Sequence, residues 1–381
     1  MSVPPLNYLE YRDAARRRLP RGLFEYLDRG AESETGIAHN RHVLDSIRVQ
    51  PRVLVGASPR SQATTLFGVP LEMPVIVAPT AFAGLVWHKG EIALARAAAR
   101  AGIPFCAATE AITSVEEIAD SAGGNIWFQL YLWSEPQHSH ALMERAWQAG
   151  VRTLVVTVDT PVSPNREYNV RNGFGMPVRL SARNIADVVT HPRWFCEVLL
   201  RYYMVDGSPR FVNYPEPYRR SLLERGIKPK IQHEPALAWS HFATLRRHWR
   251  GNIVVKGVLR VDDALKAVEL GADGIVVSNH GARNLDSAVA PAQILPRIAD
   301  AVGERIVVLC DSGIQRGSDI VKLIALGAKA VMVGRAFLNA TAVRGEAGAF
   351  DMASILSTEA DLTMAMTGCR TLPDITRDLI L

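Results

Sequence analysis

The residues best equipped for chemistry lie in one run, Ser278-Asn279-His280-Gly281-Ala282-Arg283-Asn284-Leu285-Asp286. His280 has a side chain that titrates near neutrality, so it can act as a base at working pH. Arg283, and Arg166 earlier in the chain, carry guanidinium forks that match the two oxygens of a carboxylate. Asp159 can orient an imidazole and stabilise its protonated form, or it can simply cap backbone after a strand. Lys256 closes an apolar run, where an ammonium requires an anionic partner because an unpaired charge is costly there. Gly313 and Gly334, the latter followed by Arg335, offer backbone amides and charge to a phosphate. A single glycine of this kind reads as a tight turn; the pair with an arginine carries more weight.

These groups need a scaffold that gathers them. The run Gly274–Val277 is short, β-branched and bounded by glycines, as a buried parallel strand is. Similar runs occupy residues 74–78, 103–107, 127–132, 153–158, 253–255, 306–309 and 330–333. Helical patterns fall between them at 91–101, after the capping Ser114, and at 140–149, 262–270, 292–301 and 318–326. Eight strands alternating with helices predict an α/β fold, a (β/α)8 TIM barrel. An open doubly wound sheet is the rival, and the absence of an early G-x-G-x-x-G turn weighs against it. In a barrel the chemistry gathers at the carboxyl ends of the strands. There the sequence places Pro79, Thr80 and Ala81; Gln129 and Tyr131; Thr157 and Asp159; Lys256; His280 and Arg283; Asp311 and Gly313; Gly334 and Arg335.

The chain has 381 residues, 48% hydrophobic and 21% charged, and reads as a single domain over 1–381. It opens with a helical extension over 1–70, in which residues 6–29 form short amphipathic helices ending near Gly30. Four scattered cysteines without a C-x-x-C pair predict reduced thiols in the cytoplasm, with neither disulfide nor metal. Neither a secretory signal nor a bilayer-spanning run is expected. The net charge of +5 suits anionic substrates or lipid headgroups and does not call for nucleic acid. One connection breaks the rhythm: roughly ninety residues separate the fourth and fifth strands, far more than a βα loop needs. Its insertion, 175–235, interleaves apolar and aromatic residues with basic ones at 179, 183, 193, 201, 210, 219, 220, 225, 228 and 230. Two readings stand: peripheral membrane contact through 177–230, on the inner face of the cell membrane, or a lid or oligomer contact.

The run from Ser278 to Asp286 resembles the signature of the FMN-dependent 2-hydroxy-acid oxidases and dehydrogenases. The likeness extends from Phe24-Glu25-Tyr26-Leu27-Asp28-Arg29-Gly30-Ala31-Glu32 to the stretch from Asp311 through Arg335. Trp87-His88-Lys89-Gly90-Glu91, His191-Pro192-Arg193-Trp194 and Gly368-Cys369 are most like the membrane-associated bacterial (S)-mandelate dehydrogenases. The resemblance implies an FMN-bearing barrel, tetrameric, that oxidises a small 2-hydroxy acid and passes electrons to quinone or oxygen. It implies that His280 is the base and Asp159 its partner. Tyr26, Tyr131, Arg166 and Arg283 would hold the substrate. Lys256 would lie against the N1/O2 edge of the flavin. Gln129, Thr157, Ser278 and Pro79 to Ala81 would line the flavin. Asp311 and Gly313 would meet its ribityl and phosphate region, and Gly334 and Arg335 the phosphate.

The sequence departs from the family pattern at several positions. Ala108 stands for a flavin-contacting serine, and Gln315 for an arginine near the phosphate, with Arg316 following. Ala282 and Asn284 replace a glycine and a glutamine. Glu110 stands at a position that faces the substrate's side chain in the family, and would set selectivity there unless it turns to solvent or to a lid arginine. None of these removes a catalytic group. Two other function classes remain on this reading: a flavin-independent, phosphate-binding lyase or isomerase, and a non-catalytic flavin-binding protein.

Overall fold

The computed structural model describes residues 3–175, 178, 181–221, 224 and 231–381. A short antiparallel hairpin, β1 (Thr64–Leu66) and β2 (Val69–Leu71), precedes a closed barrel. The barrel strands are β3 (Val75–Val77), β4 (Phe105–Ala108), β5 (Ile126–Leu130), β6 (Thr153–Thr157), β7 (Asn252–Val258), β8 (Gly274–Val277), β9 (Val307–Cys310) and β10 (Ala330–Val333). They pair in parallel in chain order, and β10 closes on β3 with Val331 opposite Val75. The predicted (β/α)8 barrel is therefore the fold.

Burial explains why these strands were legible. Strands covered by helices outside and side chains inside cannot alternate with polar residues. Every residue of β8 and β10 is buried. The interior is filled by Ile76, Cys106, Trp127, Val155, Val254, Val276, Leu309 and Met332. Leu66 and Leu71 of the hairpin join that cluster, and Phe67 packs on Trp127 at 5.6 Å. The hairpin thus plugs one end and leaves the carboxyl ends of the strands open. Interstrand helices fall within a residue or two of expectation, except that 140–149 begins earlier, at Pro136, a proline suited to the first helical turn. Ser114 caps its helix as expected, accepting from Glu117 N at 3.2 Å.

The sequence reading missed the hairpin, the helix Thr35–Ser46, the helix Trp239–His248 and the long helical run Arg335–Thr367. The last is interrupted at Arg344 and Gly345. Cys106, Cys310 and Cys369 are free and buried, and Cys196 is free and exposed. Between β6 and β7 the insertion forms the helices Ala182–Val189 and Arg201–Val205, the latter continuing a π-helical turn, Phe195–Leu200. It is anchored by Trp194, whose Nε1 donates to Leu85 O at 2.6 Å, and by buried Tyr202, whose hydroxyl accepts from Lys89 N at 3.0 Å. Arg179, Arg225, Lys228 and Lys230 of the basic set lie outside the described residues. No helix among the described residues is long and apolar enough to cross a membrane.

Candidate active site

A cavity of about 1250 Å³ opens at the carboxyl ends of the strands. All the predicted site residues line it except Asp159 and Ser278, which stand one layer behind the wall. The loop after β8 turns sharply, with His280, Gly281 and Ala282 all in the left-handed region (φ 57°, 65° and 59°). Such backbone is strained for His280 and Ala282 and persists only where surroundings over-determine it. Ser278 is fully buried; its hydroxyl accepts from His280 N and from Lys256 Nζ, both at 3.0 Å. Ser278 thereby supports two groups that reach the cavity, His280 and Lys256.

His280 Nδ1 lies 2.9 Å from Asp159 Oδ1. That contact fixes Nδ1 as the protonated nitrogen when the ring is neutral, which leaves Nε2 as the basic atom. Burial pulls the histidine below its ordinary pKa, Lys256 and Arg283 add to this, and Asp159 opposes it. Burial would raise Asp159, but His280 and Lys256 outweigh it and hold the carboxyl below its usual range. The pair thus keeps its charge on the Asp159 carboxylate and biases the His280 imidazole toward its neutral form.

Lys256 is 4% exposed and meets the anionic partner its position requires, Asp311 Oδ2 at 3.1 Å. Burial disfavours its charge, yet Asp311 and Asp159 overcome that and raise its pKa. Nearby, Gln129 Nε2 and Thr157 Oγ1 are buried polar atoms without a hydrogen bond among the described residues. Buried polar atoms are almost always paired, so these call for a polar ligand. Ser312 and Gly313 (φ 80° and 84°) bend the chain after β9, and Arg335 Nη2 donates to Gly281 O at 2.9 Å beside Gly334. Orphaned donors and acceptors in the middle, a buried ammonium, and a glycine-and-arginine rim suit a flat polar ring system ending in a phosphate. Arg316 does not substitute at that rim, for it turns away to Glu359 at 2.6 Å. Arg41, which the sequence reading missed, lines the cavity instead and donates to Gly313 O at 2.9 Å.

The two arginines, Arg166 and Arg283, stand together in the cavity wall. Arg283 Nη1 donates to the carbonyls of Leu27 (3.3 Å) and Arg29 (2.9 Å), and Arg166 Nε to Arg283 O at 3.1 Å. Neither has an acid partner among the described residues. Burial and the neighbouring Arg166 bring Arg283 down to about 10. Two confined guanidiniums of this kind are relieved by an incoming anion. Tyr26 lies beneath both, at 5.2 Å from Arg283 and 5.9 Å from Arg166. Burial raises the pKa of Tyr26 and Tyr131. Their hydroxyls remain donors, and no protein group among the described residues bonds them. Two partners escaped sequence reading, Tyr214 and His233 of the insertion. Tyr214 donates to Glu110 Oε1 at 3.1 Å, and His233 stacks on Tyr131 at 4.8 Å.

A closed barrel holding a histidine–aspartate pair, a buried lysine and a phosphate-type rim at one mouth defines a cofactor-dependent barrel enzyme. The model of the FMN-dependent dehydrogenases matches residues 15–381. L-lactate dehydrogenase of Pectobacterium atrosepticum is 41% identical over 372 residues, covering 97% of this chain and 95% of that protein. (S)-Mandelate dehydrogenase of Pseudomonas putida is 38% identical over 376 residues, covering 99% and 93%. The crystal structure of a monotopic membrane protein, (S)-mandelate dehydrogenase, superposes with a TM-score of 0.92 at 36% identity over the whole of both chains. The chain belongs to the FMN-dependent 2-hydroxy-acid dehydrogenase family. Its cofactor is FMN, and the unpaired atoms of Gln129 and Thr157 fit that cofactor.

Proposed function

We propose that the protein oxidises a mandelate- or lactate-like (S)-2-hydroxy acid to the 2-oxo acid, with His280 as the base. The observation that carries this reading is His280, oriented by Asp159, sharing one cavity with two arginines that lack acid partners among the described residues. FMN, when bound, supplies the two-electron acceptor. Gln129, Thr157 and Lys256 would hold its ring, and Gly313, Gly334 and Arg335 its phosphate. Arg166 and Arg283 bind the substrate carboxylate, and Tyr26 and Tyr131 orient the hydroxyl. His280 Nε2 then takes the proton that leaves the substrate, and Asp159 stabilises the imidazolium.

Purified protein should be yellow, and anaerobic (S)-mandelate or (S)-lactate should bleach it. A colourless protein would favour the lyase or isomerase reading. A yellow protein that no 2-hydroxy acid bleaches would favour a non-catalytic one. Reoxidation by a soluble quinone and by oxygen, compared after bleaching, identifies the acceptor. The outer helices of the insertion expose Ile185, Val189, Met204 and Val205 beside Arg183 and Arg201. This favours a peripheral membrane surface over a lid for that part of the insertion, and a quinone as the acceptor.

A further inference from the structure

We infer that Glu110 makes the site select 2-hydroxy acids whose side chain is a ring bearing a hydrogen-bond donor. This rests on the proposed oxidation and extends it to the substrate's far end. Glu110 sits on the loop after β4, and the loop is pinned on both sides. Thr109 N and Oγ1 donate to Gln129 O, at 3.1 and 2.7 Å. Beyond Glu110, Ile112 N and Thr113 Oγ1 donate to the buried carboxyl of Glu91, at 3.1 and 2.9 Å. The Glu110 side chain therefore has a defined place, and that place is the cavity wall. It neither turns outward nor pairs with an arginine among the described residues. Its one hydrogen bond among them is from Tyr214, to Oε1. Oε2 has no hydrogen bond among the described residues, on a side chain that lines the cavity.

The surroundings say what that oxygen accepts. Tyr131, backed by His233, and Phe211 against Tyr214 at 5.2 Å give flat faces suited to a ring. A carboxylate among them accepts a charge-assisted hydrogen bond from a ring hydroxyl. An acidic tail would meet like charge, and an unsubstituted ring would cover the oxygen without replacing the water it displaces. The charge is felt across the pocket: after burial, Glu110 is the next cause that raises Tyr131, Tyr214 and Tyr26.

The test is anaerobic flavin reduction by racemic 4-hydroxymandelate and by racemic mandelate, with kcat/KM compared in wild type, Glu110→Gln and Glu110→Ala. The wild type should favour the hydroxylated acid by about tenfold, the scale one donor–acceptor contact commonly sets. Glu110→Gln should keep part of the preference and Glu110→Ala should bring the ratio to about unity. Equal ratios in all three yellow proteins, with mandelate still bleaching them, would overturn the assignment of Glu110 alone. If no hydroxy acid bleaches the wild type, the proposed oxidation falls and this inference with it.

Discussion

Two appendages reach the mouth of the barrel, and they hold it by different chemistry. The amino-terminal extension binds backbone and buried polar groups of the His280 loop. Ala31 N donates to Ala282 O at 2.9 Å, and Asn40 and Asn279 exchange side-chain hydrogen bonds at 3.0 and 2.7 Å. Asp286 accepts from Thr35 N, Thr35 Oγ1 and Gly36 N at 3.1, 2.8 and 2.8 Å. The insertion contributes side chains instead, Tyr214 toward Glu110 and His233 against Tyr131, and its outer helix Ala182–Val189 buries no residue. The left-handed loop needs the first kind of support, because each such non-glycine residue costs on the order of 1–3 kcal/mol unless neighbours hold it. Side-chain contacts leave the barrel intact when they change. The extension therefore fixes where His280 stands, and the insertion shapes what faces it across the cavity.

The sharpest way to break the clamped side is at its end point. His280→Gln should keep FMN and fold while slowing flavin reduction by about 10²–10⁴-fold or more, the worth of a general base plus its orientation. Near-normal bleaching by substrate would remove His280 from the chemistry. The pH profile sharpens this. In the proposed role of base His280 would work when neutral, and burial lowers its pKa, so the acid limb of kcat/KM should fall below about 6.5. Asp159 opposes that lowering, so Asp159→Asn should move the limb further down while reducing the rate. A limb above the ordinary histidine value would contradict the geometry.

Cutting the clamp itself comes next. Asp286→Ala leaves the Thr35 and Gly36 donors without their acceptor and should cost about 2–3 kcal/mol of stability, the scale of hydrogen bonds to a charged group. Denaturant midpoints measure it. The pH dependence has a definite sign. The folded pKa of Asp286 is lowered, because the Gly36 and Thr35 donors outweigh burial. Its contribution is therefore fully present above the unfolded value near 3.9 and is lost as pH falls through the folded one. The variant should lack that acid-sensitive part. Equal stability of the two proteins at pH 6 would show that the extension does not clamp the loop.

The same contrast accounts for what could be read in the sequence. β8 and β10 are fully buried and announce themselves as apolar runs, and the polar residues just past strand ends follow as candidates. The clamp could not be read that way: Asn40 and Asp286 are ordinary polar residues whose partners lie 239 and 250 positions away. Tyr214 was equally hidden, since an insertion has no strand rhythm to place it beside Glu110. The supporting bonds of Ser278 were hidden too, because a strand-end position does not tell that its hydroxyl holds His280 N and Lys256 Nζ. The helical run Arg335–Thr367 escaped because small alanines and glycines give it little apolar stripe to detect.

The smallest effect on chemistry should come from the outermost part of the insertion. Ile185 and Val189 are four residues apart on the helix Ala182–Val189, so they share a face, and they are 54% and 69% exposed. Replacing both by serine removes no buried contact and should change stability by less than about 0.5 kcal/mol. The kcat/KM for a soluble substrate should also stay unchanged. Affinity for anionic vesicles should drop by about tenfold, because each apolar side chain lost from a membrane-facing surface removes on the order of 1 kcal/mol of burial. Flotation of wild type and variant at low salt measures the difference. A wild type that stays in solution beside such vesicles would remove the membrane reading and leave a lid. A variant that floats as well as the wild type would move the contact off this face. A variant with impaired kcat/KM would show that the outer helix serves the site, so the two appendages would differ less than their bonding indicates.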